Sequence, residues 1–275
     1  MYKNYKIHTL IMKNSLIAFL FAIWTAFSGF AQAAEDITPI PNISDAWRFE
    51  VTPYLWAPGI KGTVGLDSGP TKSTDFTTSN VLGDLKSGGM ISAEAHKGSW
   101  GVMGDLVSAT LQKTSSSPVV TSYGPANIAD KITLQQTVLT GAATYTVVNG
   151  KDTYVDAMLG VRAIYATVTA NLSIVGTSDK TTISKTTSTV DPIIGAKGRY
   201  RIADSTWYVP FYGDIGSGGG TTNLTWQAMA GVGKTFGSLI DASLTYRALY
   251  YDMKNGGVLQ KTTMLGPQVA VTFKF

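Results

Sequence analysis

Residues 265–275, LGPQVAVTFKF, alternate strictly between two kinds of side chain. A period of two predicts a β-strand that is apolar on one face and more polar on the other. Two folds use such strands: a transmembrane barrel with lipid outside and a polar lumen, and a soluble sandwich whose apolar face packs on a core. The apolar face carries Leu265, Pro267, Val269, Val271, Phe273 and Phe275, and the other carries Gly266, Gln268, Ala270, Thr272 and Lys274.

The same alternation recurs through residues 47–275, with clusters of turn-forming residues between the repeats. In 152–173, for example, Leu159 and Val161 alternate with Gly160 and Arg162. The repeats predict ten strands, with eight or twelve as alternatives, and a kink at Pro58-Gly59 in the first. The ten are 47–66, 88–97, 99–112, 130–148, 152–173, 183–203, 205–217, 222–236, 239–252 and 259–275.

The predicted connections alternate in length. Short turns fall at 97–98, 149–151, 203–204 and 237–238. Longer connections fall at 67–87, 113–129, 174–182, 218–221 and 253–258. Short periplasmic turns and longer outer loops are typical of bacterial outer-membrane barrels, whereas a soluble sandwich has no reason to alternate its loops in this way.

Composition also favours a barrel. Charged residues make up 15% of the chain, against roughly 25% in an ordinary soluble domain. Aromatic residues collect near the predicted periplasmic ends of the strands, where amphipathic rings favour a membrane interface. They are Trp47, Phe49, Trp100, Tyr200, Trp207, Tyr208 and Phe275. The sequence therefore predicts an all-β fold, a closed antiparallel transmembrane β-barrel in the bacterial outer membrane, with membrane lipid as a partner.

The N-terminal segment has the pattern of a cleaved secretory signal peptide, residues 1–33. Lys13 precedes the apolar run 15–30, and Ala31-Gln32-Ala33 fits a cleavage site. Residues 34–46 are polar and contain proline, which predicts a short periplasmic lead before the barrel, 47–275. Removing residues 1–33 takes away three lysines and no acid, which leaves 19 basic against 18 acidic residues. Nucleic-acid binding is therefore not expected.

Several short segments resemble a family of proteobacterial outer-membrane β-barrel proteins of unassigned function, which are porin-like. They are 51–64 (VTPYLWAPGIKGTV), 94–101 (EAHKGSWG), 159–162 (LGVR), 190–196 (VDPIIGA), 213–216 (GDIG) and the terminal strand. The resemblance implies a barrel and a location but no activity. Phe275 at the end of an alternating strand also resembles the signal that the barrel-assembly machinery recognises during biogenesis.

The sequence predicts no catalytic site and no cofactor. Cysteine is absent, and His96 is the only histidine after residue 33. A serine nucleophile needs a base with a near-neutral pKa. His96 beside the short turn at 97–98 predicts a periplasmic rim residue, far from the outer end where the known barrel enzymes act. A zinc site needs more cysteine and histidine ligands than this chain offers.

Extending the phase of the last strand predicts twelve charges that point into the lumen. They are Arg48, Glu50, Glu94, Asp105, Asp156, Arg162, Asp191, Lys197, Arg199, Asp214, Asp241 and Arg247. One interpretation is a salt-bridged plug, because small barrels fill their interior and buried charges must be paired. The other is a narrow polar channel with charged walls.

These patterns favour a structural barrel or a narrow passive channel for small hydrophilic solutes. The alternative is a surface binding or adhesion module that acts through its outer loops. Residues 79–86 predict a short helical turn, either folded into the barrel mouth or lying in a solvated loop. The sequence leaves the solute and the oligomeric state open.

Overall fold

The computed structural model describes residues 37–66, 71–121, 124–174, 180–218, 222–255 and 258–275. The predicted signal peptide lies outside the described residues. The elements are β1 (Arg48–Trp56), β2 (Gly59–Leu66), β3 (Thr71–Phe76), α1 (Thr78–Asp84), β4 (Leu85–Lys97), β5 (Trp100–Thr121), β6 (Gly124–Asn149), β7 (Thr153–Ile174), β8 (Lys180–Arg201), β9 (Trp207–Gly216), β10 (Thr222–Phe236), β11 (Ile240–Asn255) and β12 (Val258–Lys274). No helix among the described residues is long and apolar enough to cross a membrane.

Consecutive strands pair antiparallel from β4 to β12, and β1 pairs with both β4 and β12. This last pairing closes the ring, with Val51 opposite Phe273. β1 and β2 are two pieces of one wall strand, because both pair with β12 and they separate at Ala57 and Pro58. The ten-stranded barrel and the kink in its first strand are therefore confirmed.

Every second residue of each strand points to the outer surface of the wall, and most of these residues are apolar. Leu159, Ile194, Leu244 and Val269 are exposed on it. Aromatic residues are exposed near the end with the short turns: Trp47, Phe49, Trp100, Tyr200, Trp207 and Phe275. Tyr208 is an exception to the predicted aromatic set, since its side chain is buried.

Three periplasmic turns contain two or three residues, close to the prediction, and the turn between β8 and β9 contains five, 202–206, where two were predicted. Gly98 and Gly237 adopt φ of +59° and +63°, a region that glycine enters without steric cost. At the outer end, residues 113–129 were predicted to be a loop, and this was wrong. β5 and β6 continue in register through them as far as Thr121 opposite Gly124. The sequences of the two segments, TSSSPVVT at 114–121 and GPANIA at 124–129, show no regular alternation of apolar and polar residues.

The strands β5 to β8 are longer than a membrane requires. They contain 22, 26, 22 and 22 residues, whereas roughly 9–11 suffice to cross a bilayer. The outer parts of these strands form what we call the projecting sheet, residues 111–121, 124–134, 168–174 and 180–185. The helical turn predicted at 79–86 is observed as α1, which follows β3 in the connection between β2 and β4.

Candidate functional site in the barrel interior

The inner face of the wall gathers the twelve predicted charges. Because successive side chains of a strand point to opposite faces, the phase that exposes Leu159 and Val161 turns Asp156 and Arg162 inward. Eight of the twelve are buried: Glu50, Asp105, Asp156, Arg162, Asp191, Asp214, Asp241 and Arg247. Arg48, Glu94, Lys197 and Arg199 are half-buried. Buried charges at this density require partners.

A rim cluster lies at the periplasmic end. Arg199 places Nη1 2.9 Å from Asp241 Oδ2 and Nη2 3.5 Å from Glu50 Oε2. Lys274 Nζ lies 2.8 Å from the other oxygen of Asp241, and Arg48 Nε lies 3.6 Å from Glu50 Oε1. These five residues form one continuous chain of ion pairs across β1, β8, β11 and β12.

Residues 38–46, which belong to the predicted periplasmic lead 34–46, contact the rim cluster; residues 34–36 lie outside the described residues. The Pro39 carbonyl accepts a hydrogen bond from Arg199 Nη1 at 3.1 Å, and the Asn42 carbonyl accepts one from Arg48 Nη1 at 3.0 Å. Ile40 is buried. The segment therefore covers part of the periplasmic mouth with its backbone carbonyls facing the guanidinium groups.

A second group, the inner cluster, contains Glu94, His96, Asp156 and Lys197. Lys197 Nζ hydrogen-bonds Glu94 and lies 3.5 Å from Asp156 Oδ2. His96 Nε2 lies 3.3 Å from Glu94 Oε2 and 3.8 Å from Asp156 Oδ2. His96 lies one residue before the end of β4, beside the short turn as predicted, and its side chain is buried on the inner face. Gly101 makes room for it, since a Cβ there would lie 2.5 Å from His96 Nδ1.

Arg247 and Asp105 form an ion pair near the middle of the barrel. Arg247 Nη2 lies 2.6 Å from Asp105 Oδ2 and donates to Gln227 Oε1 at 2.8 Å. Tyr54 completes the group: its hydroxyl donates to Asp105 Oδ1 at 2.6 Å and accepts from Arg247 Nη1 at 2.8 Å. The guanidinium also lies over the ring of Trp56, 4.9 Å from the centroid.

Arg162 forms the deepest ion pair, with Asp214. Both side chains are fully buried. Tyr212 donates its hydroxyl to the same carboxylate at 2.5 Å, and Arg162 Nη1 donates to Thr225 Oγ1 at 3.1 Å. Asp191 lies directly opposite Arg162 in the β7–β8 ladder. It forms no ion pair with a described residue and accepts a hydrogen bond from Thr189 Oγ1 at 3.0 Å.

A layer of apolar side chains fills the outer half of the interior. Val138, Ile164, Leu249, Tyr251 and Met253 are almost completely buried and belong to one hydrophobic cluster. The periplasmic half keeps a polar cavity of about 150 Å³ among the ion pairs, lined by Glu50, Glu94, Lys197 and Arg199. Ordered water can occupy a polar cavity of this size.

Some interior residues were missed in the charge list, although their faces were predictable. Lys274 lies on the polar face of the last strand yet was left out, and it pairs with Asp241. Tyr54, Tyr208 and Tyr212 are buried on the inner face. An aromatic side chain is expected at the lipid-facing surface or at the membrane interface. The positions of these three tyrosines along their strands, however, have the same inward phase as the neighbouring charged residues. Arg199 lies 4.9 Å from the ring centroid of Tyr208.

Comparisons with known proteins fit this fold. No family model matches the chain, and no curated protein matches it. The outer-membrane protease OmpT from Escherichia coli is structurally similar, with a TM-score of 0.55, 8% identity and coverage of 87% of this chain and 100% of OmpT. The chain folds as an outer-membrane β-barrel. Its closed wall and apolar outer surface place it in the bacterial outer membrane.

Two further outer-membrane barrels align over most of the chain. Ail, the attachment invasion locus protein of Yersinia pestis, shares 12% identity, with coverage of 84% of this chain and 99% of Ail and a TM-score of 0.31. A deletion mutant of the monoaromatic hydrocarbon channel TodX shares 9% identity, with coverage of 84% and 90% and a TM-score of 0.34. At such identities a likeness concerns the fold alone, and membership of the resembled family stays a prediction.

Proposed function

We propose that this protein is a sealed structural barrel of the outer membrane, in which the interior charges form a plug. The observation that carries the proposal is that buried ion pairs and an apolar layer close the interior above the periplasmic cavity. Arg162 and Asp214 are fully buried in the plane that a solute would have to cross. Leu249 and Ile164 are equally inaccessible above them. A hydrated solute would have to break buried ion pairs, each of which is costly to separate.

The test is to reconstitute the protein into planar bilayers and dye-loaded liposomes. Heat-modifiable migration in gels would verify that the barrel is folded in the same preparation. We expect silent bilayers and retention of small hydrophilic dyes. Reproducible conductance steps that change when Arg247 is replaced by Gln would contradict a plug and show that solutes pass along the charged wall.

A second candidate function is surface binding through the projecting sheet. It is favoured by the length of β5 to β8, which carries Thr- and Ser-rich strands well beyond the membrane. Hydroxyl pairs such as Thr169 with Ser184, 3.1 Å apart, link adjacent strands on the outward face. We expect that shortening the β5–β6 hairpin by removing residues 113–129 abolishes cell-surface attachment and leaves a heat-modifiable barrel. Attachment that survives the deletion would exclude this hairpin as the adhesive element.

Recognition of Phe275 by the barrel-assembly machinery is part of the same proposal. The Phe275 main chain exchanges two hydrogen bonds with Phe49, at 2.9 and 3.1 Å, and its side chain is exposed. Phe275→Ala should therefore lower the amount of assembled barrel in cells and leave refolding in vitro unchanged. Equal loss in both settings would indicate a purely structural residue. The absence of enzymatic activity stays a prediction.

A further inference from the structure

The inner face of the projecting sheet is apolar although it lies outside the membrane. Two rows run across its four strands in register: Leu111, Leu134, Val168 and Lys185, and above them Lys113, Ile132, Ala170 and Ile183. Ile132, Val168 and Ile183 are 43%, 46% and 59% exposed. Exposed apolar patches with polar borders mark binding surfaces.

This patch is continuous with a pocket beneath α1. The pocket has a volume of about 50 Å³ and shares Leu111 and Leu134 with the patch. α1 contributes Val81, which is buried, and Leu82, which is 53% exposed. Gln136 is the one polar residue among those that line the pocket. We call the patch and the pocket together the cleft; it begins in solvent and ends inside the barrel mouth.

The cleft has a closed lower end. Val138 forms part of the pocket wall, and it belongs to the same cluster as Ile164 and Leu249, which are both fully buried. A molecule that enters from outside therefore stops at this layer. Such a geometry suits retention of a ligand and not its passage.

Two cations border the cleft. Lys113 begins the outer row and Lys185 ends the inner row, so the two lie at opposite corners of the patch. Both are exposed, and neither forms an ion pair with a described residue. An apolar patch with cations at its corners and a pocket of about 50 Å³ at its lower end fits an amphiphile with one alkyl chain and an anionic head.

We infer that the cleft binds a free single-chain carboxylate amphiphile from the cell exterior. Its alkyl chain lies along Ile132 and Val168, and the chain end reaches the pocket under α1. The carboxylate stays in solvent at the rim beside Lys113 or Lys185. The chain provides most of the affinity, since exposed ion pairs contribute little.

The test uses the protein in lipid nanodiscs and dodecanoate with a photoreactive diazirine at its methyl end. Mass spectrometry of the irradiated protein locates the label. We expect label on α1 and on the β5 and β6 segments around Leu111 and Leu134. Label found only on the lipid-facing surface, for example at Leu159, would overturn the inference, since partition into the bilayer alone would produce it.

Variants separate the apolar and charged contributions. The double variant Ile132→Glu, Ile183→Glu should reduce labelling of the cleft about tenfold, because it places charge on the alkyl path. Lys113→Gln with Lys185→Gln should weaken competition by unlabelled dodecanoate about two- to five-fold and leave competition by dodecanol unchanged.

The matched control is Thr186→Glu, next to Lys185 but on the opposite face of β8. It should leave labelling unchanged. Equal loss in Thr186→Glu and in the isoleucine variant would overturn the assigned face. Labelling is measured without any flux across the membrane, so dye leakage would refute the sealed barrel and leave the cleft untouched. Heat-modifiable migration of each variant verifies its fold.

Discussion

The two halves of the barrel interior differ in how many buried charges they contain. The periplasmic half holds the rim cluster, the inner cluster and their carboxylate partners, while the outer half holds a layer around Ile164 and Leu249. An apolar layer tolerates changes of shape as long as its volume is filled. A buried ion pair fails when either partner is lost, because the other charge remains without compensation. The two halves should therefore respond differently to substitution.

The largest effect is expected for Arg162→Ala in the charged half. It leaves the carboxylate of Asp214 buried without its cation, which should lower the free energy of unfolding by about 3–5 kcal/mol. Urea titration followed by gel migration or tryptophan fluorescence in detergent micelles would measure the change. The control is Arg162→Met combined with Asp214→Leu, which removes both charges and should recover much of the loss. A double variant as unstable as the single one would show that lost packing, not charge, dominates.

The apolar half is tested by Leu249→Ala, which should cost about 2–5 kcal/mol through lost burial and the cavity left behind. Leu249→Met conserves volume, so it should cost less than about 1.5 kcal/mol. Equal losses for both variants, measured by the same titration, would contradict a layer held by packing alone.

The outer surface of the wall is tested by Leu159→Arg. Leu159 is exposed to the membrane next to the buried Met158. A charge on the lipid face should destabilise the barrel by roughly 2–4 kcal/mol if it lies near the bilayer midplane. Refolding yields and urea midpoints in liposomes would show this. A neutral substitution would mean that the inner and outer faces of β7 have been exchanged.

The smallest effect is expected for an ion pair outside the barrel. Lys151 Nζ lies 2.8 Å from Asp204 Oδ1 in the periplasmic turns. The hydrogen bond and charge of Lys151 lower the pKa of Asp204. The stabilisation from this carboxylate is therefore present at neutral pH and is lost as the pH falls through that pKa. Asp204→Asn keeps the left-handed backbone and should leave the urea midpoint at pH 7 unchanged. A clear shift of the urea midpoint would show that this exposed ion pair contributes as much stability as a buried one.

Alternation predicted more of this molecule than any motif did. The ten-stranded wall, the kink at Pro58 and the inward direction of the charges all follow from a period of two. The outer extension of the β5–β6 hairpin was missed because the segments 114–121 and 124–129 show no regular alternation of apolar and polar residues. The burial of His96 was not predicted, although His96 shares the phase of Glu94 on β4 and that phase points inward.

The choice of partners within the interior could not be predicted from phase. Asp191 is opposite Arg162 in the ladder, yet Arg162 reaches across to Asp214. A long guanidinium side chain spans several strands, so its partner depends on the curvature of the wall. The covering of the periplasmic mouth by residues 38–46 depends on backbone carbonyls, which no side-chain pattern reveals.

The pairing between β1 and β12 has a consequence for the order of events in time. Thr52 and Thr272, whose hydroxyls lie 2.8 Å apart across this seam, are 220 positions apart in the chain. β2, the second piece of the same wall strand, also pairs with β12. The remaining wall pairings between described strands join neighbours in sequence or, for β1 and β4, strands separated by β2, β3 and α1. Contacts between distant residues form slowly, because the chain loses conformational entropy before the contact contributes favourable energy. We expect the ring to be completed last and to reopen first, so the seam sets the lifetime of the barrel.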